Sequence, residues 1–122
     1  MNQINDQNEL RKLIYQKLST ITPTYSNYAD AQEESYCTYY LNNIDVYWQR
    51  SDVYLTIDVI DPAISAVEAT AQQIRELLDQ QTFNSATVSA TFYFESQNVV
   101  DESDKGIQHR NMRFSIMAYS NV

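Results

Sequence analysis

The chain has 122 residues, enough for one domain whose core needs no covalent staples. Sixteen acidic residues against eight basic ones leave a formal charge of −8, which argues against a protein whose task is to grip nucleic acid. A single cysteine, Cys37, excludes an internal disulfide, and a single glycine, Gly106, excludes both a glycine-rich phosphate loop and a dinucleotide fingerprint.

Met1–Asn8 is polar and carries no apolar run, so no signal peptide is expected. No stretch approaches the roughly 18 apolar residues that span a bilayer. The expectation is a soluble chain, cytoplasmic at synthesis. The first helix is predicted to start after Asp6, which has capping-box spacing to Glu9. Leu10, Leu13, Ile14 and Leu18 then form one apolar stripe, and the helix should stop near Ser19–Thr20, ahead of Pro23. Thr20–Glu34 reads as a loop with room for a short edge segment. Ser35–Leu41 is strand-like, with Cys37, Tyr39 and Leu41 on one face and Tyr36, Thr38 and Tyr40 on the other. Asn42–Asn43 reads as a turn, Ile44–Trp48 as a short continuation and Gln49–Asp52 as a polar tip.

Val53–Ile60 alternates cleanly, with Val53, Leu55, Ile57 and Val59 on the oily side. Asp61–Pro62 follows as a helix start, with Asp61 as its cap. Ile64, Val67, Ala71, Ile74, Leu77 and Leu78 give the apolar face of a helix running to about Gln80. Thr87–Phe94 and Gln108–Ala118 both alternate with a period of two and predict a long closing hairpin. Between them Gln97–Gln108 should project as an arm, with Asp104–Lys105–Gly106 forming a turn.

Helix, strand, strand, helix, strand, strand predicts an α+β fold in one domain, 1–122. A single antiparallel or mixed sheet of about four strands would carry two helices packed on one face. The open face would hold Tyr54, Thr56, Thr91, Tyr93, Arg113 and Ser115, facing water or a neighbouring subunit. Ten tyrosines suit such a surface, since each offers a rigid apolar ring with a polar tip.

Reactive chemistry is scarce. His109 is the only histidine, too few for a triad or an ordinary zinc site, and no partner that would orient it as a base is identifiable. Asp58 and Asp61 straddle a strand end and a helix start. Asp101, Glu102 and Asp104 lack the spacing of a calcium loop, and Cys37 reads as a small buried hydrophobe. No enzyme activity, cofactor or metal is expected.

The strand Val53–Ile60 running into the Pro62–Gln80 helix is preceded by the tyrosine-rich Tyr36–Leu41 and by Trp48. Gly106-Ile107-Gln108-His109-Arg110 then leads into Met112, Phe114 and Ile116. From about Leu10 to Tyr119 this order resembles the small tail-terminator proteins, also called tail-completion or head–tail joining proteins, of long-tailed bacteriophages and prophages. The resemblance implies a subunit that closes into a hexameric ring at the head-proximal end of the tail. There it would stop tail-tube polymerisation and provide the surface to which the filled head docks. Implied partners are further copies of the chain, the major tail tube protein and a head-completion or connector protein. DNA would pass through without sequence-specific binding, and no membrane would be involved. Assembly would take place in the bacterial cytoplasm, ending in the mature virion tail. The implied contact surface joins Tyr36, Tyr40 and Tyr54 with Asp101, Glu102, Asp104, Arg110 and Arg113. Arg110, Arg113 or Arg50 would pair with the loop acids across subunits. The competing readings are a small cytoplasmic protein-binding adaptor, and another phage morphogenetic role such as a head-completion protein or tail chaperone.

Overall fold

The structure is a computed structural model that describes residues 3–26, 34–46 and 50–120. The chain runs α1 (Gln3–Leu18), β1 (Thr24–Ser26), β2 (Tyr36–Val46), β3 (Arg50–Asp61), α2 (Ile64–Leu78), β4 (Gln81–Asn84), β5 (Val88–Val100), a 3₁₀ turn (Ser103–Lys105) and β6 (Gln108–Ser120). The described strands form one six-stranded sheet in the order β1-β2-β3-β6-β5-β4. Only β1 on β2 is parallel, so the sheet is mixed. The α+β fold with helices on one face is as expected; β1 is the short edge segment for which Thr20–Glu34 left room, and β4 is a further edge strand not foreseen.

Alternation places Cys37, Tyr39, Val53, Leu55, Ile57, Val59, Met112, Phe114 and Ile116 against the helices. Leu10, Leu13, Ile14 and Leu18 of α1 meet them, with Val67, Ala71, Ile74 and Leu78 of α2, in one continuous core. Each helix is short and needs this burial to persist. Phe94 packs edge-on against Phe114 at 5.5 Å between ring centroids, and Phe83 against Phe92 at 5.8 Å.

Several expectations need correction. Asp6 lies inside α1 rather than at its cap, because neither proline nor glycine interrupts the run from Gln3. Asn42–Asn43 is no turn: β2 continues to Val46, and the register with β3 shifts between Asn42 and Asp45. An insertion of this kind is absorbed as a bulge that bends the strand without ending it. Of the expected polar tip, Arg50–Asp52 already belongs to β3. Tyr28, Trp48 and Gln49 lie outside the described residues.

The β3–α2 junction is also built differently. Proline biases its predecessor toward extended backbone, and Asp61 stays in β3 while α2 starts only at Ile64. Asp61 Oδ1 accepts the Ala63 N–H at 2.9 Å, and Oδ2 accepts the Ser35 hydroxyl at 2.7 Å. Asp61 therefore fastens the turn to the start of β2, and no side chain caps the helix. Ile64, at the first residue of α2, is 60% exposed, and Leu77 is only partly buried.

At its far end α2 stops at Leu78, and Gln80 takes a left-handed conformation at φ 61°. The Gln80 N–H donates to the Phe92 carbonyl at 2.7 Å, and the Phe94 N–H to Asp79 Oδ1 at 2.8 Å. These bonds deliver the chain to the edge strand β4. The closing hairpin is longer than expected, since β5 stays paired with β6 as far as Val100 opposite His109. The expected arm Gln97–Gln108 is thus a paired ladder with a short tip, residues 101–107. Glu95 is inserted where the register shifts between Phe94 and Ser96.

Candidate assembly interface

Two of the long strands are only half covered. β1 lies along Cys37–Tyr39 of β2, and β4 lies along Ser89–Phe92 of β5. Among the described residues, Tyr40–Val46 and Ser96–Val100 therefore have a strand neighbour on one side alone. The β2 stretch lies beside Ser51–Thr56 of β3, whereas the β5 stretch lies beside His109–Arg113 of β6. Because Ser51 pairs with Ala118 and Ile60 with His109, these open stretches sit at opposite edges and opposite ends of the sheet. Val99, in the open part of β5, is 68% exposed, and Val100 beside it is also exposed. Unpaired backbone donors and acceptors next to apolar side chains form a template for strand addition.

The sheet face away from the helices carries the expected tyrosines. Tyr36 is half-buried and meets Tyr25 edge-on at 6.0 Å. Tyr40 is half-buried and Tyr93 exposed. The Arg113 guanidinium lies 4.0 Å over the Tyr54 ring. Its Nε is 3.7 Å from Glu95 Oε1, close enough for attraction and too far for a hydrogen bond. Thr56, expected on this face, is buried there. Beside Tyr54 opens a groove of about 310 Å³ lined by Asp45, Arg50, Asp52, Glu95, Ser115 and Met117 among others. Arg50 Nε and Nη2 donate to Asp52 at 2.8 and 3.1 Å, so its charge is already answered within the subunit.

Arg110 sits elsewhere. Only 5% exposed, it turns to the helix side, where Nε donates to Glu68 Oε1 of α2 at 2.7 Å and Nη1 to the His109 carbonyl at 3.2 Å. Its alternation with Met112, Phe114 and Ile116 carried that signal, since a residue two before Met112 shares its face. Asp101 and Asp104 are exposed at the hairpin tip.

Glu102 is held inward, and here the structure supplies the partners that were not identifiable from sequence. His109 Nδ1 lies 2.5 Å from Glu102 Oε1, and Nε2 lies 2.7 Å from Asp58 Oδ1. Asn111 Nδ2 donates to the same Asp58 oxygen at 2.8 Å, and Lys105 Nζ to Glu102 Oε2 at 3.2 Å. The His109 hydrogen bond, aided by Lys105, holds the Glu102 carboxyl below the usual carboxylate range. With carboxylates at both ring nitrogens, the imidazole has no free nitrogen to take a proton from a nucleophile. Cys37 is equally unsuited to attack: burial pushes its thiol up to about 11, the opposite of an activated thiolate. Among the described residues, no group of His, Cys, Asp and Glu side chains is placed to hold a metal ion. No described helix is long and apolar enough to cross a membrane.

A chain solved within the virion of a native gene transfer agent particle matches this architecture with a TM-score of 0.64. The match covers 87% of this chain and 91% of that one, at 15% sequence identity. The two chains share a fold. No protein-family model matches the sequence, and no curated protein matches it either. At this identity the likeness lies in architecture, the level at which alternation and helix stripes act, and not in individual surface residues.

Proposed function

We propose that this chain is a structural subunit of a phage-type particle, acting through contact and not through bond-making. In this reading, copies close into a ring, with six as the expected number, at the head-proximal end of a tail. The ring ends tube growth, meets the major tail tube protein on one side and the head-completion protein on the other. It leaves a passage for DNA, which an acidic chain would not grip. Assembly takes place in the host cytoplasm and the product stays in the particle. The observation that carries the reading is the near full-length match to a virion chain. It is supported by open strand stretches at opposite ends of the sheet, the layout that a head-to-tail contact between identical subunits needs.

Residues already engaged within the subunit are poor cross-subunit partners. Arg110 and Glu102 are committed to Glu68 and His109, and the groove beside Tyr54 has more acids than arginines. In this reading the contact is carried by the uncovered edge of β5 and the face around Tyr36, Tyr40 and Tyr54, with Arg113, whose partners Tyr54 and Glu95 lie on that same face, and with the tip acids Asp101 and Asp104 at its rim.

The test is electron microscopy of tail tubes polymerised with and without the protein. The expected result is rings or tubes of fixed length with one capped end. Tubes that lengthen unhindered would refute termination. Val99→Lys places a charge on the exposed edge, where it should leave stability within about 0.5 kcal/mol and abolish capping. Capping by this variant at wild-type levels would remove the β5 edge from the contact.

A further inference from the structure

We propose that the hairpin tip around Glu102–Gly106 is a latch that closes onto the sheet through Glu102 while both ring nitrogens of His109 carry protons and loosens at that contact when one proton is lost. The latch is a property of the subunit and does not depend on ring formation.

Carboxylates accept hydrogen bonds and do not donate them. With Asp58 at Nε2 and Glu102 at Nδ1, both contacts are satisfied only by a doubly protonated imidazole. Losing one proton leaves a lone pair facing a carboxylate oxygen, and one contact turns from attraction to repulsion. The two sides are not equally firm. Asp58 stands in β3, in the middle of the sheet, and is also held by Asn111 of β6. Glu102 stands in a short tip, and its other partner, Lys105, belongs to that same tip. The Lys105 N–H donates to the Glu102 carbonyl at 2.9 Å, so it too ties the tip to itself and not to the sheet. The Glu102 contact therefore gives way, and His109 keeps the proton shared with Asp58.

The surroundings contain little that would mask this response. From β3 the charged group at His109 is Asp58; the tip brings Glu102 and Lys105 and also carries Asp101, itself engaged, and the exposed Asp104, with Glu34 across the adjoining space. The β5 residues opposite His109 and Asn111 are neutral, Val100 and Asn98. Arg110 turns to the other side of the sheet toward Glu68. Tyr36 of β2 lies beyond Ile60, the β3 partner of His109. With the latch closed, a space of about 370 Å³ remains beside the tip, lined by Tyr36, Ile60, Pro62, Lys105, Gly106 and Ile107 among others.

The chain suits a direct test because it has one histidine and one glycine. NMR of the intact protein across a pH series follows the His109 ring and the Gly106 amide without ambiguity of assignment. The expected result is that the Gly106 amide shifts with the same midpoint as the His109 ring. In Glu102→Gln, the Gly106 response should fall to a small fraction of its wild-type amplitude. A Gly106 signal indifferent to His109, or an undiminished response in Glu102→Gln, overturns the latch.

Discussion

At the residue scale, side chains of one chemical type part company according to where they project. Leu77 and Leu78 are neighbours in α2, yet only Leu78 is fully buried. Leu78→Ala should cost about 2–5 kcal/mol and Leu77→Ala ~1 kcal/mol, read from the midpoints of urea melts. The apolar stripe was legible in the sequence, but which of two adjacent leucines faced the sheet was not, because 100° of rotation separates them while the stripe is itself about that wide. Cys37 was legible as a buried hydrophobe. Its thiol, pushed up to about 11, should resist alkylation at pH 8 in the native protein and react readily in denaturant. Glu102 shows the opposite shift. A carboxyl lowered on folding stabilises the folded form above its ordinary pKa, and that contribution is lost as pH falls through the lowered value. Strong acidification should therefore weaken the Glu102–His109 contact by removing its charge, seen as a carboxyl carbon titration displaced below the usual glutamate range.

Elements and their junctions depend on bonds that sequence patterns do not display. Alternation located β3 and β6 and the inner half of β5, whereas β1 and β4, with three and four residues, are too short for a period to register. Burial of Arg110 beside α2 makes Glu68 a structural partner although it is itself half exposed. Glu68→Ala should cost about 1–3 kcal/mol by leaving a desolvated guanidinium without its charged acceptor. Removing Glu9 from its exposed pair with Lys12 should change stability by less than ~0.5 kcal/mol. At the end of α2, Gln80 holds a conformation that costs a side-chain-bearing residue energy, just where helices favour glycine. Gln80→Gly should raise stability by about 0.5–1 kcal/mol, measured by calorimetry.

For the molecule as a whole, the single core and the one-sided helices follow from the two apolar helical stripes and the alternating strands. The layout of its contact surface does not. The sequence shows which residues alternate onto the open face, yet the uncovered lengths of β2 and β5 depend on where, among the described residues, the two edge strands pair with them. The same limit hid the Asp58–His109–Glu102 chain, whose members are 51 and 7 positions apart. The inserted residue Glu95 carries this point furthest. It bends β5 just before the uncovered stretch, and so fixes the direction in which a neighbour's backbone would leave the sheet. If each copy adds to the last through that edge, the tilt at Glu95 repeats at every step, and the circle closes only when the steps sum to a full turn. The number of members in the circle would then be set by one extra amino acid, and deleting it should yield a differently sized circle or an open spiral.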